Sequence, residues 1–260
     1  MANPLALQSR RVQVQDSFDA IQDYCSEQGW TDGLPVVPPT EDLVRRTLLA
    51  YGEDPSLSLG VIQPRNAKVT LEKLAVNAVM AGCRPEYFPV VVAVAKAVLK
   101  EEFNVAGVSA TTGGATPAII VNGPVVEELG INGDAGCFGP GYRSNAAIGR
   151  AVRLVIRNLG GLIPGEMDKA TLSLPARYTL CFSENVDRSP WEPRHVELGY
   201  DPSASIITVA GIRGIHIVME NTVPTGIEVL RTIVGTMKAT GVSNYCQIGT
   251  GTQIVLVLCP

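Results

Sequence analysis

The chain has 260 residues, 46% of them hydrophobic and 18% charged, and a formal net charge of −4. The hydrophobic share is enough to bury a sizeable core, while the acidic balance, without any block of like charge, excludes nucleic acid and anionic membrane as general partners. Aromatics at 5% exclude a stacking platform for single strands, and 26 glycines with 18 prolines point to closely packed small side chains and many specified turns.

In chain order, "DSFDAIQDYCSEQG" places Phe18, Ile21, Tyr24 and Cys25 on one helical face, with Gly29 as the stop. "WTDGLPVVPPT" follows: Asp32-Gly33 signals a turn, and Pro35, Pro38 and Pro39 exclude helix or central strand. Residues 1–40 therefore read as an N-terminal helix and a Pro-rich arm, and 41–260 as an α/β body. Thr40 caps the helix "EDLVRRTLLAYG". "NAKVTLEKLAVNAVMAGC" predicts a short strand and a helix capped by Thr70, with Leu71, Leu74, Ala75, Ala78 and Val79 on one face. "RPEYFPVVVAVAKAVLKEEF" predicts a helix from Pro85 to Phe103, apolar on nearly every side and so buried between other elements.

"GVSATTGGATPAIIVNGP" (Gly107–Pro124) and "GVSNYCQIGTGTQIVLVLCP" (Gly241–Pro260) share a pattern. Each opens on Gly-Val-Ser after a helix, passes through a Gly/Thr-rich stretch and continues as an apolar strand, Ala118–Val121 or Ile254–Leu258. Between them, "SNAAIGRAVRLVIRNLGG" predicts a helix from near Ser144 to Gly160-Gly161. Strands are expected at Tyr178–Ser183, Ser205–Ala210 and His216–Met219, and a helix at Thr225–Thr240. The expected fold class is α/β, mixed sheet layers with helices and an internally duplicated helix–strand unit, with halves at about 70–160 and 175–260. The apolar "TQIVLVLCP" is expected to pack against other protein, making the chain a homo- or hetero-oligomer.

No run reaches the roughly 18 apolar residues of a membrane span, and "MANPLALQSRRVQVQDSFDA" has no basic start followed by an apolar run. The expected compartment is the bacterial cytoplasm. There the six scattered cysteines, Cys25, Cys83, Cys137, Cys181, Cys246 and Cys259, are expected as reduced thiols.

Chemistry concentrates in two stretches. In "NGDAGCFGPGYRSNAAIGR", glycines including Gly139 and Gly141 precede a helix that Ser144 or Asn145 would cap. Glycine lets backbone N–H groups approach a ligand, a helix start carries partial positive charge, and Arg143 could hold a carboxylate or phosphate there. No Gly-Lys-Ser/Thr follows and no strand leads into a dinucleotide fingerprint, so an ordinary Gly-rich turn accounts for the pattern equally well. Cys137 in this loop is a candidate nucleophile or a small packed thiol. Thr111 and Thr112 in "TTGGATP" offer hydroxyls near a strand edge.

The second stretch is "SENVDRSPWEPRHVELGYDP". Glu184 comes straight after a strand, two prolines make the turn around Trp191 and Glu192 rigid, and His195 can serve as general acid or base. Glu184, Glu192 and His195 could also hold a divalent metal, although their spacing matches no strong metal motif and no cofactor site is recognisable. The structural alternatives are a Trp191 that anchors the loop, a His195 bonded to backbone and acids that face water. His216 belongs to a sheet face, whereas Glu220 and Asn221 at that strand's end are better placed to reach a cleft. Arg84 and Glu86 either stabilise a helix terminus or line a pocket.

Together, "WTDGLPVVPPT", "LAVNAVMAGCRPEYFPVVVAV", "GPGYRSNAAIGRAVRLVIRNLGG" and "ENVDRSPWEPRHVELGY" resemble a family of uncharacterised bacterial proteins. That family is often found beside, or fused to, small proteins with a selenocysteine- or cysteine-Gly-Ser-Cys motif, and the resemblance runs from about Trp30 to Tyr200. It implies a partner protein. The chain lacks the Cys-Gly-Ser-Cys motif itself, so the redox chemistry of that motif does not carry over.

The leading expectation is an enzyme acting on a small anionic metabolite by general acid/base chemistry, either hydrolysis or a lyase/hydratase step. One alternative is a half-site or non-catalytic subunit of a hetero-oligomeric enzyme. The other is a metal-dependent hydrolase or hydratase.

Overall fold

In the computed structural model, which describes residues 6–222, 225–239 and 254–259, Ser17 opens the first helix. Its hydroxyl accepts a hydrogen bond from Ala20 N at 3.3 Å, and α1 runs Phe18–Glu27. Gly29 turns the chain with φ +69°. Of the predicted face, Cys25 is buried, but Phe18 is 64% exposed. The Thr40 hydroxyl accepts from Leu43 N to start α2 (Glu41–Leu49). An antiparallel hairpin follows, β1 (Ser58–Ile62) against β2 (Ala67–Thr70), and Thr70 then caps α3 (Leu71–Met80).

The second apolar helix is shorter than expected. α4 covers Phe88–Val98, preceded by a tight turn at Pro85–Tyr87. Pro89 has no N–H to donate, so it is accommodated only in the first turn of a helix, and α4 begins around it. Asn104, at φ 50°, then redirects the chain into α5 (Val105–Ala110).

The main sheet has three strands in the order β4-β3-β5. β3 (Thr116–Asn122) leads through α6 (Val125–Leu129) and a glycine-rich loop to α7 (Arg143–Asn158). β4 (Cys181–Ser183) pairs parallel to β3, Val121 opposite Ser183. After α8 (Arg194–Glu197), β5 (Ile206–Ile212) returns antiparallel, Ala118 opposite Ala210. The mixed pairing is as predicted, although β4 is cut to three residues because Pro175–Arg177 form a turn first.

The chain divides into two units, Met1–Arg213 and Gly214–Pro260, so the N-terminal arm belongs with the body. In the second unit, α9 (Gly226–Ala239) matches the expected helix. His216–Met219 and Ile254–Leu258 form no strand: neither finds a ladder partner among the described residues, and Ile217 is 86% exposed. Gly241–Gln253 lie outside the described residues. What is described is a mixed α/β fold with two small sheets and no repeated helix–strand unit.

The core of the first unit lies where α3, α4 and α7 meet β3. Leu71, Leu74, Phe88, Val91, Ile148, Leu154 and Ile156 are fully buried there, each worth about 1.5–3 kcal/mol over exposure. α7 comes close to the segment that enters β4. The Thr179 hydroxyl donates to Ala146 O at 3.0 Å, and a Cβ on Gly149 would collide with it, so glycine is needed there. This contact fixes α7 against the sheet, and with it the loop that α7 holds. No helix among the described residues is long and apolar enough to cross a membrane.

Candidate functional site

Because β3 and β4 are parallel, their carboxyl ends open on the same side, the position at which α/β sheets hold ligands. β3 ends in the buried Asn122, and β4 ends in Ser183, followed by half-buried Glu184. Asn122 Nδ2 donates to Glu184 Oε2 at 2.6 Å, and the backbone N–H of Arg194 donates to the same oxygen at 2.9 Å. Glu184 is thus fixed by two neutral donors from separate segments.

The loop beside it is fastened at three consecutive residues. Ser144 donates to Gly130 O at 2.7 Å and Ser183 Oγ to Ile131 O at 2.9 Å. The Asn145 amide pairs with the Asn132 peptide, accepting from its N–H at 2.8 Å and donating to its oxygen at 2.9 Å. Gly133 lies so close to β4 that a Cβ would collide with Ser183 O. Asn185 Nδ2 reaches Asp134 Oδ1 at 3.3 Å across this edge. The polar set at the carboxyl end is therefore Asn122, Glu184, Asn185, Asn132 and Asp134.

Several expectations need correction. α7 starts at Arg143 with Tyr142 in the cap position; Ser144 and Asn145 are buried in the first turn and serve the loop instead of capping. Arg143 does not stand open at the mouth: its Nε and Nη2 donate to Gly82 O at 3.1 and 2.9 Å, closing the end of α3. Gly139 N is used within the loop, donating to Gly136 O at 2.8 Å, and Gly141 supplies a turn at φ +122°. This is the structural-turn alternative. Cys137 is half-buried in a small cleft with Asn145, Thr179 and Cys181.

The proline-rich loop differs in detail from its reading. Trp191 is 65% exposed and, among the described residues, does not anchor the loop to the body, and Glu192 is exposed too. The turn is rigidified locally, with Ser189 Oγ accepting from Trp191 N and donating to Trp191 O, both at 3.2 Å. His195 is buried, its Nε2 3.4 Å from Pro202 O. That contact needs a proton on Nε2, and Nδ1 is buried without a partner among the described residues. His195 thus follows its structural alternative, a ring bonded to backbone. Among the described residues, no three His, Cys, Asp or Glu side chains are grouped to hold a metal ion, so Glu184, Glu192 and His195 do not form a ligand set.

Thr111 and Thr112 lie at the opposite end of β3. The Thr111 hydroxyl accepts from Gly113 N and Thr112 O from Thr171 N. A seven-residue strand separates them from Glu184 by about 20 Å, so they share no site with it. In the second unit, Glu220 is engaged by Thr222 N at 2.7 Å and Thr232 Oγ1 at 3.0 Å. Burial pushes the Cys83 thiol up to about 12, and burial with Cys83 beside it does the same for Cys181. Neither is a nucleophile near neutral pH.

No protein-family model matches the chain, and no curated protein or solved structure matches it either.

Proposed function

We propose that this chain forms one side of an acid/base active site in which Glu184 is the general base, and that a partner subunit supplies the other side. The observation that carries the reading is the Glu184 carboxylate, held on Oε2 by Asn122 Nδ2 and Arg194 N at the carboxyl edge of the parallel strand pair. Both donors use one oxygen, so Oε1 is the atom that takes a proton from water or substrate. Two firm contacts give the precise orientation that general base catalysis demands. The reaction class is hydrolysis or a lyase/hydratase step on a small anionic metabolite, with exposed Arg188 and Arg194 on the same loop to meet its charge.

The shared site follows from the surroundings. The loop bearing Glu184 also presents Trp191, 65% exposed, and Tyr200, 50% exposed. Tryptophan and tyrosine are the residues that dominate binding energy at protein interfaces. A partner protein is also what the family resemblance implies.

The test combines molar mass with turnover. The purified chain is expected to form an oligomer by light scattering, and Trp191→Ala to shift it toward monomer. The oligomer should turn over members of a panel of phosphomonoesters, carboxylic esters and hydroxy acids. Glu184→Gln should abolish that turnover with the mass unchanged. Turnover by a monomer, or turnover that survives Glu184→Gln, would sink the proposal.

A further inference from the structure

α7 carries Arg150, Arg153 and Arg157 at spacings of three and four, on one helical face. Arg150 forms a two-point pair with Asp32, at 2.9 and 2.8 Å. Arg177, from the turn that crosses this face, pairs with Asp168 at 2.5 Å and also donates to Ala115 O and Ser109 O. Each of these carboxylates is thus committed to its own guanidinium. Arg153 has only a carbonyl, donating from Nε to Arg177 O at 3.0 Å. Its Nη1 is closed off from solvent without a partner among the described residues, and so is the Nε of Arg157.

Among the described residues, these four guanidiniums face two carboxylates, an excess of two positive charges, and two buried donor nitrogens have no acceptor. Burying charge without compensation is costly, and charged donors that lie unmatched in a native fold call for an explanation. The electrostatics agree: burial lowers the Arg153 guanidinium to about 10, Arg177 and Arg157 push the same way, and Asp168 and Asp32 oppose them.

We propose that Arg153 and Arg157, on the face of α7 that the Pro175–Arg177 turn crosses, bind a phosphate or a phosphoryl group. Planar guanidinium forks match tetrahedral oxyanions in paired hydrogen bonds. An excess of two positive charges suits a phosphate dianion better than a single carboxylate. The site is distinct from Glu184, since Arg177 ties it to the amino end of β3, and it stands whether or not Glu184 is a base.

The experiment is a thermal-unfolding titration of the whole chain with inorganic phosphate at constant ionic strength, with sodium chloride as control. Phosphate is expected to raise Tm where chloride does not, because an anion bound only by the folded state stabilises it. Arg153→Met and Arg157→Met should each weaken apparent phosphate affinity by about tenfold or more, the value of a charged hydrogen bond. A parallel titration with glycerol phosphate separates the sources: a matching shift identifies a phosphorylated metabolite, and a shift with inorganic phosphate alone identifies the free ion. If Arg153→Met does not fold, Arg157→Met and the unsubstituted chain decide. A Tm indifferent to phosphate, or a shift that persists undiminished in Arg157→Met, overturns the proposal.

Discussion

The two ends of β3 hold charge in opposite ways. At the carboxyl end, Glu184 is fixed by an amide side chain and a peptide N–H, with no cation on its oxygens among the described residues, in loops that stay open to solvent. At the amino end, Arg177 is locked against Asp168, each under 10% exposed, and it reaches Arg153 on the α7 face that also carries Arg157 and the Asp32-paired Arg150. Asp168, locked against the buried Arg177 guanidinium, serves as a fastening. The same strand thus separates an edge whose carboxylate is held by neutral donors from one with surplus positive charge.

The sharpest way to break this contrast is to remove a fastening. Asp168→Asn leaves Arg177 buried without its counter-charge, and truncating one partner of a buried pair costs about 3–5 kcal/mol. Denaturant unfolding should show a loss of that size. A loss below about 1 kcal/mol would mean that the pair is no more than a surface bridge.

A smaller loss, with its own pH signature, is expected at Asp32, whose side chain is 14% exposed beside Arg150. Burial raises the Asp32 carboxyl, but hydrogen bonding and charge from Arg150 outweigh it and hold the group below its ordinary value of 3.8. A folded-state value below the unfolded one contributes stability above the unfolded value, and that stability is lost as pH falls through the folded value. Asp32→Asn should therefore cost about 1.5–3 kcal/mol at neutral pH. The gap between the two proteins should narrow below about pH 4. The variant also frees Arg150, so it should bind inorganic phosphate more tightly than the parent. Unfolding curves across pH, with and without phosphate, check both expectations.

What could be read from the sequence was local. Thr40 and Thr70 both cap the helices they were expected to cap, because a cap bond reaches only three residues along the chain. Ser144 and Asn145 carry the same cap chemistry, yet their partners, Gly130 and Asn132, lie 14 and 13 residues away, and tertiary contact decides their role. Glu184 was legible as a carboxylate leaving a strand. Asn122 was not, since "VNGP" signals only a turn and its partner is 62 residues distant. The arginines of α7 stand at helical spacing, and nothing local said that turns from residues 30 and 177 would reach Arg150 and Arg153. Arg143 shows the reverse: its place at a helix start suggested a ligand, and a carbonyl 61 residues back takes it instead.

Gly133→Ala tests whether the two ends are independent. The added methyl would overlap Ser183 O, a backbone atom that cannot rotate away, so either β4 or the loop must shift. Overpacking of this kind costs about 1–3 kcal/mol, and here the displacement falls on the peptides that place Asp134, Asn185 and Glu184. Turnover by the oligomer should drop, while the phosphate-induced rise in Tm should remain, because Arg153 and Arg157 take their positions from α7 and the Arg177 turn. Loss of both properties together would show that the loop and α7 move as one body. The carboxyl-end carboxylate and the amino-end arginines would then belong to a single coupled site.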